Sequence, residues 1–559
     1  MRSPKHSRLD RSALALVLVM ATSVTAILLA TLRTSTTFDE IVVMAGGARG
    51  WATGQWDIAP EHPPLMFYVY GLPVHLSGVN VEPFAAPDIW RREKVVATTE
   101  QFFAPRFAYA REFMWGNGNN AIQVAFAARV VAVFLTAILI LTTFTCARRQ
   151  FGPSTAVFAT FLVAFLPDTL ANGGIAYFDI PVALGILTTL WVADGAIRDP
   201  TPLRGAWTGF LLALTLAVKM TAILLGPAIA VLAALEAIRR GIDTVWLRRM
   251  GAALLTGIVA SYITFVAIYR GDFSLEELRF AVDYTLRLGN AGVGFPIYML
   301  QRVWNEPPWF AYPVLFVFKT PVAFQLLTVI GIVSLAVTAK REPGDWGQSK
   351  LRVPIVGVVV FGGILLVSNA AVASRYSIPM QMWLAILVAI GLSRVWEQKR
   401  LTLRASVAAL MIWFAASSLS FYPFFMSYTS EWGPGRNDPQ KIIAGNSVDM
   451  GAGLLELKRW MTEKKVPEIW LAYHGSAVPA GYGIRYEPLL SSMSLVDYWP
   501  DDTIRAEYTV LSATALSAAI AGDPYGSFRD IDPDTVIAYT LRVYRRQPNG
   551  IVGSRLPDD

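Results

Sequence analysis

The strongest constraint on this chain is a succession of apolar runs, most of them about twenty residues long. At about 1.5 Å per helical residue, such a run crosses a hydrocarbon layer about 30 Å thick. They cover 12–32, 122–147, 154–168, 180–197, 250–269, 313–338, 353–371, 377–395 and 404–425. A further stretch, 206–238, is too long for one helix and is interrupted by Lys219 and by Gly226-Pro227. It reads as two short helices meeting near Lys219, which brings the count to eleven. The first run follows a basic start (Arg2, Lys5, Arg8, Arg11). It is too long for a signal peptide core and no small-x-small cleavage site follows, so it reads as a retained anchor.

Composition agrees. Hydrophobic residues make up 54% and charged residues 16%, against about 25% charge in an ordinary soluble domain. Disorder is excluded by the same apolar content. A lone cysteine, Cys146, excludes a disulfide framework and a Cys-based zinc site. The histidines (His6, His62, His75, His474) are scattered, which argues against a His-cluster metal centre. The net charge of +7 would suggest nucleic acid in a soluble protein, but here the placement of the cations decides, and no nucleic-acid partner is expected. Arg148-Arg149, Arg198 with Arg204, Arg239-Arg240 with Arg248-Arg249, Lys340-Arg341 with Lys350 and Arg352, and Lys399-Arg400 with Arg404 all fall on one side under an eleven-span count. By the positive-inside rule that side is cytoplasmic. The expected protein is multi-pass in the plasma (inner) membrane, with a cytoplasmic N-terminus. Residues 33–121, the turn near 169–179, 270–312 and the tail 427–559 then lie outside.

The chain divides into a membrane region, 1–426, and a tail, 427–559, richer in charge. In the tail, 454–461 has helical amphipathicity, 468–473 reads as a strand and 535–545 as another, with Val536, Ala538, Thr540 and Arg542 alternating. A small α/β domain is expected. No internal repeat is present.

Chemistry concentrates on the outer side. Thr37-Phe38-Asp39-Glu40 places two acids just past the first span, and the same loop later carries Glu61-His62-Pro63-Pro64. Between them runs a Gly/Trp-rich stretch, and after them 65–76 is apolar but too short to span, suited to lying in the interface. A solvated acid pair is the ordinary alternative for Asp39 and Glu40. Asp179, before Ile180-Pro181, is placed to cap a helix or to serve a site at the helix mouth. Lys219 interrupts apolar sequence, where an ionisable group costs several kcal/mol unless paired; the alternative is a lysine reaching for the surface. Lys319-Thr320-Pro321 and Arg375-Tyr376 add cations, and with Lys219 they could form an anion site for a phosphate. His62 is structural, or functional through its place beside Glu61 on the loop that carries Asp39. Trp51, Trp56, Tyr68, Tyr70, Trp304 and Trp309 could stack on sugars or form an interfacial belt.

Phe38-Asp39-Glu40, Gly54-Gln55-Trp56 and His62-Pro63-Pro64-Leu65 together resemble the first outer loop of the dolichyl-phosphate-mannose-protein mannosyltransferase superfamily. This superfamily has the GT-C fold and includes polyprenyl-phosphate-dependent bacterial enzymes and the aminoarabinose transferases. Asp179, Lys219-Met220-Thr221, Pro307-Pro308-Trp309, Lys319-Thr320-Pro321 and Ser374-Arg375-Tyr376 look like its later landmarks, and Asn446 to Gly451 with Leu471 to Gly475 looks like the outer domain of bacterial members. The resemblance implies Asp39 as the catalytic acid of the first loop, with Glu40 beside it, and Asp179 as the second acidic position. It implies Glu61, His62, Lys219, Lys319, Arg375 and Tyr376 on the donor. His62 stands where aminoarabinose transferases have Lys, and Met450 where bacterial members commonly have Trp.

The implied enzyme is an inverting glycosyltransferase that moves a sugar from a polyprenyl-phosphate carrier to an acceptor hydroxyl on a protein, lipid or glycan. Phosphate leaves as a stable anion, so one base and cationic stabilisation suffice, unlike glycoside hydrolysis with its two carboxylates. A divalent cation held by Asp39 and Asp179 is an alternative source of positive charge. The rival class is a multi-span transporter or flippase of lipid-linked sugars.

Overall fold

A computed structural model describes residues 11–56, 58–81, 106–241, 243–290, 297–341, 350–367, 372–398, 400–491, 506–517 and 523–545. The basic residues Arg2, Lys5, Arg8 and Lys399, the histidine His6 and the end of the 353–371 run lie outside the described residues.

Each of the eleven apolar segments carries a helix among its described residues. Helix α1 is Arg11–Thr31; α2 (Glu40–Thr53) and α3 (Leu65–Leu76) follow it; then come α4 (Ala121–Phe151), α5 (Pro153–Phe165), α6 (Pro167–Asn172), α7 (Asp179–Arg198), α8 (Pro202–Leu216) and α9 (Leu225–Arg240). The membrane region continues through α10 (Thr244–Ile268), α11 (Glu276–Asn290), α12 (Ala311–Lys319), α13 (Val322–Arg341), α14 (Arg352–Val367), α15 (Ile378–Glu397) and α16 (Leu401–Leu419).

Among the described residues, seven helices are long and apolar enough to cross a membrane. They are α1, α4, α7, α10 and α16, together with α9 and α15, each extended by the 3-10 turn before it. An eighth is broken: α12 and α13 meet at 109°, at Lys319-Thr320-Pro321. Pro321 has no N–H to continue a helix, and Glu431 takes the next one, Val322 N, at 3.0 Å. The remaining segments, α5, α8 and α14, are shorter than a full span. Helix α5 stops because Leu166, held extended (ψ 131°) before Pro167, cannot stay helical.

The 206–238 stretch breaks at Ala217 to Lys219, as its sequence suggests, with a 3-10 turn Met220–Leu224 leading into α9. Helices α2 and α3 lie so close that a Cβ on Gly47 would stand 2.6 Å from Gly71 Cα. Only glycine permits that approach, and it fixes how α2 and α3, joined by the loop that carries His62, pack together.

Beyond α16, helix α17 (Leu454–Lys464) packs on a five-stranded mixed sheet of order β4-β3-β5-β7-β6. The strands are β3 (Ile469–Ala472), β4 (Tyr486–Pro488), β5 (Tyr508–Ser512), β6 (Thr535–Ile537) and β7 (Leu541–Arg545); a separate hairpin, β1 (Ile297–Met299) and β2 (Arg302–Trp304), precedes α12. Side chains alternate across the sheet. Val510 and Val543 join Leu454, Leu457 and Met461 of α17, whereas Leu511 and Tyr544 meet Phe528 on the other face.

One expectation is corrected. Residues 535–545 form not one strand but an antiparallel hairpin, pairing Val536 with Arg542. Ala538 and Tyr539 take left-handed φ of 53° and 62°, and an alternating pattern that runs on through a tight turn hides the reversal.

Candidate functional site

The loop between α1 and α2 frees Asp39. Thr37-x-x-Glu40 has capping-box spacing, and the Glu40 carboxylate accepts from Thr37 N at 2.8 Å and from Thr37 Oγ1 at 2.9 Å. Glu40 also accepts from Ala176 N (3.1 Å) and takes Arg129 as a two-pronged partner, Nη2 to Oε2 at 2.7 Å and Nε to Oε1 at 2.9 Å. It is fully buried, and both oxygens are consumed in holding α1, α2 and α4 together. Asp39 sits at the N-terminal boundary of α2 without capping it. Its side chain turns instead towards α15 and keeps 17% exposure.

There Arg375 Nη2 donates to Asp39 Oδ2 at 3.1 Å. The same guanidinium places Nε 3.5 Å from Asp179 Oδ2. Asp179 is the first residue of α7 and makes no cap hydrogen bond; its Oδ1 accepts from Lys219 Nζ at 2.7 Å. The capping role open to Asp179 in the sequence is therefore not the one it fills. Lys219 is brought here by the break after α8, and its ammonium lies 4.8 Å from the centre of the Tyr376 ring. Arg375 Cζ lies 5.4 Å from that ring and 5.5 Å from Tyr177. Two acids and two cations thus alternate in one cluster, Asp39, Arg375, Asp179, Lys219, walled by two tyrosines. Asp179 Oδ2 and Arg375 Nε are buried without a hydrogen-bond partner. Lys219 has further donors free of Asp179. Burial raises the Asp39 carboxyl above its ordinary value, partly countered by Arg375.

The other sequence candidates lie apart. Glu61 pairs with Arg106. His62 packs against Phe178, ring centres 4.5 Å apart, with Nε2 3.5 Å from the Tyr177 hydroxyl. Burial pushes its pKa down to about 4, so at neutral pH it borders the cluster as an uncharged ring. Lys319 does not reach the cluster: its ammonium donates to the carbonyls of Met426 (2.8 Å) and Tyr428 (2.6 Å) and seals the α12–α13 bend.

Sequence reasoning passed over Arg129 and Asp168, and noted Met450 only as a departure from Trp. Arg129 lies inside an apolar helix, where the rule applied to Lys219 would have found it. Asp168 accepts from Ser374 Oγ and Gln381 Nε2, both at 2.8 Å, and so anchors the turn that carries Arg375. Met450 accepts from Arg375 Nη1 at 3.1 Å.

The two carboxylates offered for a divalent ion, Asp39 and Asp179, are each paired with a cation here. Among the described residues no three His, Cys, Asp or Glu side chains gather as a metal site. The positive charge beside Asp39 and Asp179 comes from Arg375 and Lys219.

Residues 120–270 match the family described as dolichyl-phosphate-mannose-protein mannosyltransferase. No curated protein matches the chain. Among solved structures, the chain is similar to ArnT from Cupriavidus metallidurans bound to undecaprenyl phosphate, with 14% identity, TM-score 0.48 and coverage of 94% of this chain and 97% of that one. Apo ArnT from the same organism gives 13%, 0.49, 96% and 98%. The archaeal oligosaccharyltransferase AglB from Archaeoglobus fulgidus, in complex with an inhibitory peptide and a dolichol-phosphate, gives 11%, 0.39, 90% and 71%.

Proposed function

We propose that this chain is an integral-membrane glycosyltransferase that transfers a sugar from a polyprenyl-phosphate carrier to an acceptor hydroxyl, with inversion at the anomeric carbon. The observation that carries the reading is the Asp39–Arg375–Asp179–Lys219 cluster at the helix starts. The mannosyltransferase family match supports it. That match spans 120–270 and does not include the 38–65 loop motifs, so the two signals are drawn from separate stretches of sequence.

The chemistry follows from the side chains. Asp39 accepts the proton of the acceptor hydroxyl as that oxygen attacks the anomeric carbon and the bond to the phosphate oxygen breaks. A carboxyl raised by burial is a better proton acceptor than an ordinary one. The departing phosphate is met by donors of Arg375 and Lys219, which are pre-oriented by Asp39 and Asp179 and cost little reorganisation. Tyr177 and Tyr376 wall the cluster beside both cations.

A transporter reading finds less support. Many carriers are built from internal repeats, and no internal repeat is present in this sequence. We read the sheet region and the cluster as extracytoplasmic, with the plasma (inner) membrane as the site, because the basic loops fall on the opposite side under an eleven-span count. The residues after 426 act as the outer domain, and the acceptor is a protein, lipid or glycan hydroxyl.

Mass spectrometry of envelope glycans compares a strain lacking the gene with the same strain complemented by wild type or by Asp39→Asn. Wild type restores the missing sugar and Asp39→Asn does not, with about a 10²–10⁴-fold loss. Undiminished transfer by Asp39→Asn would falsify the base assignment.

A further inference from the structure

Met450 lies in the segment that leads from α16 into the sheet region, and it touches both Arg375 and the residue before Asp39. Its carbonyl accepts from Phe38 N, one residue before Asp39, at 3.0 Å. Its sulfur accepts from Arg375 Nη1 at 3.1 Å. The side chain is 3% exposed, and the segment around it is fixed. Ser447 Oγ accepts from Ser374 N, one residue before Arg375, at 3.1 Å. Asp449 Oδ1 accepts from Gly451 N at 3.1 Å. Gly451 adopts φ +82°, and a Cβ there would stand 2.2 Å from the Tyr473 hydroxyl oxygen. A single short segment thus grips the residue before the base, the residue before the cation and the guanidinium itself.

The type of acceptor matters. A thioether is uncharged and weak. It satisfies one buried N–H without competing for the positive charge that Asp39, Asp179 and the leaving phosphate share. A carboxylate here would pull the guanidinium away, and a hydrocarbon would leave a buried N–H unmatched, which is costly.

We propose that Met450 is a positioning residue, whose thioether and carbonyl set the Arg375 fork against Asp39 so that base and phosphate-binding cation keep their spacing. The inference rests on the reading of Asp39 as the base. The other groups facing Asp39 and Arg375 are Asp179 at the start of α7, Tyr177 before it, Lys219 after α8 and Tyr376.

The test uses full-length protein carrying Met450→Leu, Met450→Gln or Asp39→Asn. Sugar transfer is read from envelope glycans of the complemented strain. Binding of undecaprenyl phosphate to the purified, detergent-solubilised protein is read across pH. Met450→Leu should fold, lower transfer about 10-fold, and move the Asp39-linked step in phosphate-lipid binding to higher pH, because the guanidinium is no longer held on the carboxylate. Met450→Gln, whose amide oxygen accepts the same N–H, should restore both readouts. Asp39→Asn should abolish the step.

Wild-type transfer and an unmoved step in Met450→Leu overturn the proposal. So does a loss of transfer that Gln does not rescue with the step unmoved, which would mark Met450 as packing only. If Asp39→Asn still transfers sugar, the functional reading fails separately; the binding profile, which needs no transfer, still decides Met450.

Discussion

Helix α7 carries an acid near each end, and the two ends behave differently. At its start Asp179 joins Lys219, Arg375 and Asp39. Fifteen residues on, about 22 Å along the axis, Asp194 joins Arg198 and Arg352, and Arg352 reaches on to Glu236, which also binds Arg239 and Arg240. Both clusters alternate charges, and both are buried. In the second, both Asp194 oxygens are paired, Glu236 is fully buried under three arginines, and the result ties α7, α9 and α14 together. In the first, a carboxylate oxygen, Asp179 Oδ2, has no hydrogen bond and Asp39 keeps 17% exposure, whereas unmatched guanidinium nitrogens occur in both, Arg375 Nε here and Arg352 Nη2 there. Buried ion pairs in a helical bundle are therefore not evidence of function by themselves. What sets the first cluster apart is a buried carboxylate oxygen left unmatched beside a partly exposed carboxylate.

The same substitution at both ends tests that contrast. Arg375→Lys replaces a fork by a point charge that cannot serve Asp39 and Asp179 together. Transfer should fall about 100-fold while the thermal unfolding midpoint barely moves; unchanged transfer would erase the distinction between the ends. Arg352→Lys should do the reverse. It loses charge-assisted hydrogen bonds worth about 1.5–3 kcal/mol each, so thermal melting of the detergent-solubilised chain drops by several degrees, while transfer per folded molecule is kept.

Acidity sharpens the comparison next. Because burial raises the Asp39 carboxyl, transfer should begin to fall, as pH decreases, above the range of an ordinary carboxylate: the protonated acid cannot take the acceptor's proton. A rate profile flat down to pH 4 would contradict this. Asp449 gives a stability counterpart. Burial, with Oδ2 unpartnered, pushes its carboxyl up to about 7 from an ordinary 3.8. Over that interval the folded chain keeps a proton that the unfolded chain has released. This contribution is full below about pH 4 and is lost as pH rises towards about 7, and Asp449→Asn should flatten the fall in melting temperature across that range.

The smallest effect should come from His62→Gln. An imidazole already neutral at pH 7 supplies no charge, so transfer should change less than about 10-fold. A loss matching that of Arg375→Lys would mean that His62 holds the phosphate as a cation.

Sequence alone showed much of this. Hydrophobic length exposed the helices, and charge in apolar surroundings exposed Lys219, because both signals are local. The break near Lys219 was readable from Lys219 and Gly226-Pro227. Two kinds of fact were not. Whether a charge faces a site or seals a bend depends on partners far away in the chain: Lys319 looked like Lys219 but binds the carbonyls of Met426 and Tyr428. Glu40 looked like the twin of Asp39, but its oxygens are spent on Arg129, Thr37 and Ala176. Met450 gave no sign of a polar partner, since a methionine ordinarily reads as filler. Its departure from the usual Trp was visible, but its contact with Arg375 spans 75 residues.

The stretch bearing Asp39 is stitched to the far end of the polypeptide. Ser35 Oγ donates to Gly451 O across 416 positions, and Ser476 Oγ to Phe38 O across 438. A ribosome makes these partners hundreds of peptide bonds apart. The stretch bearing Asp39 therefore gains these partners only after residues 451 and 476 have been made, so its final fastening comes late in synthesis.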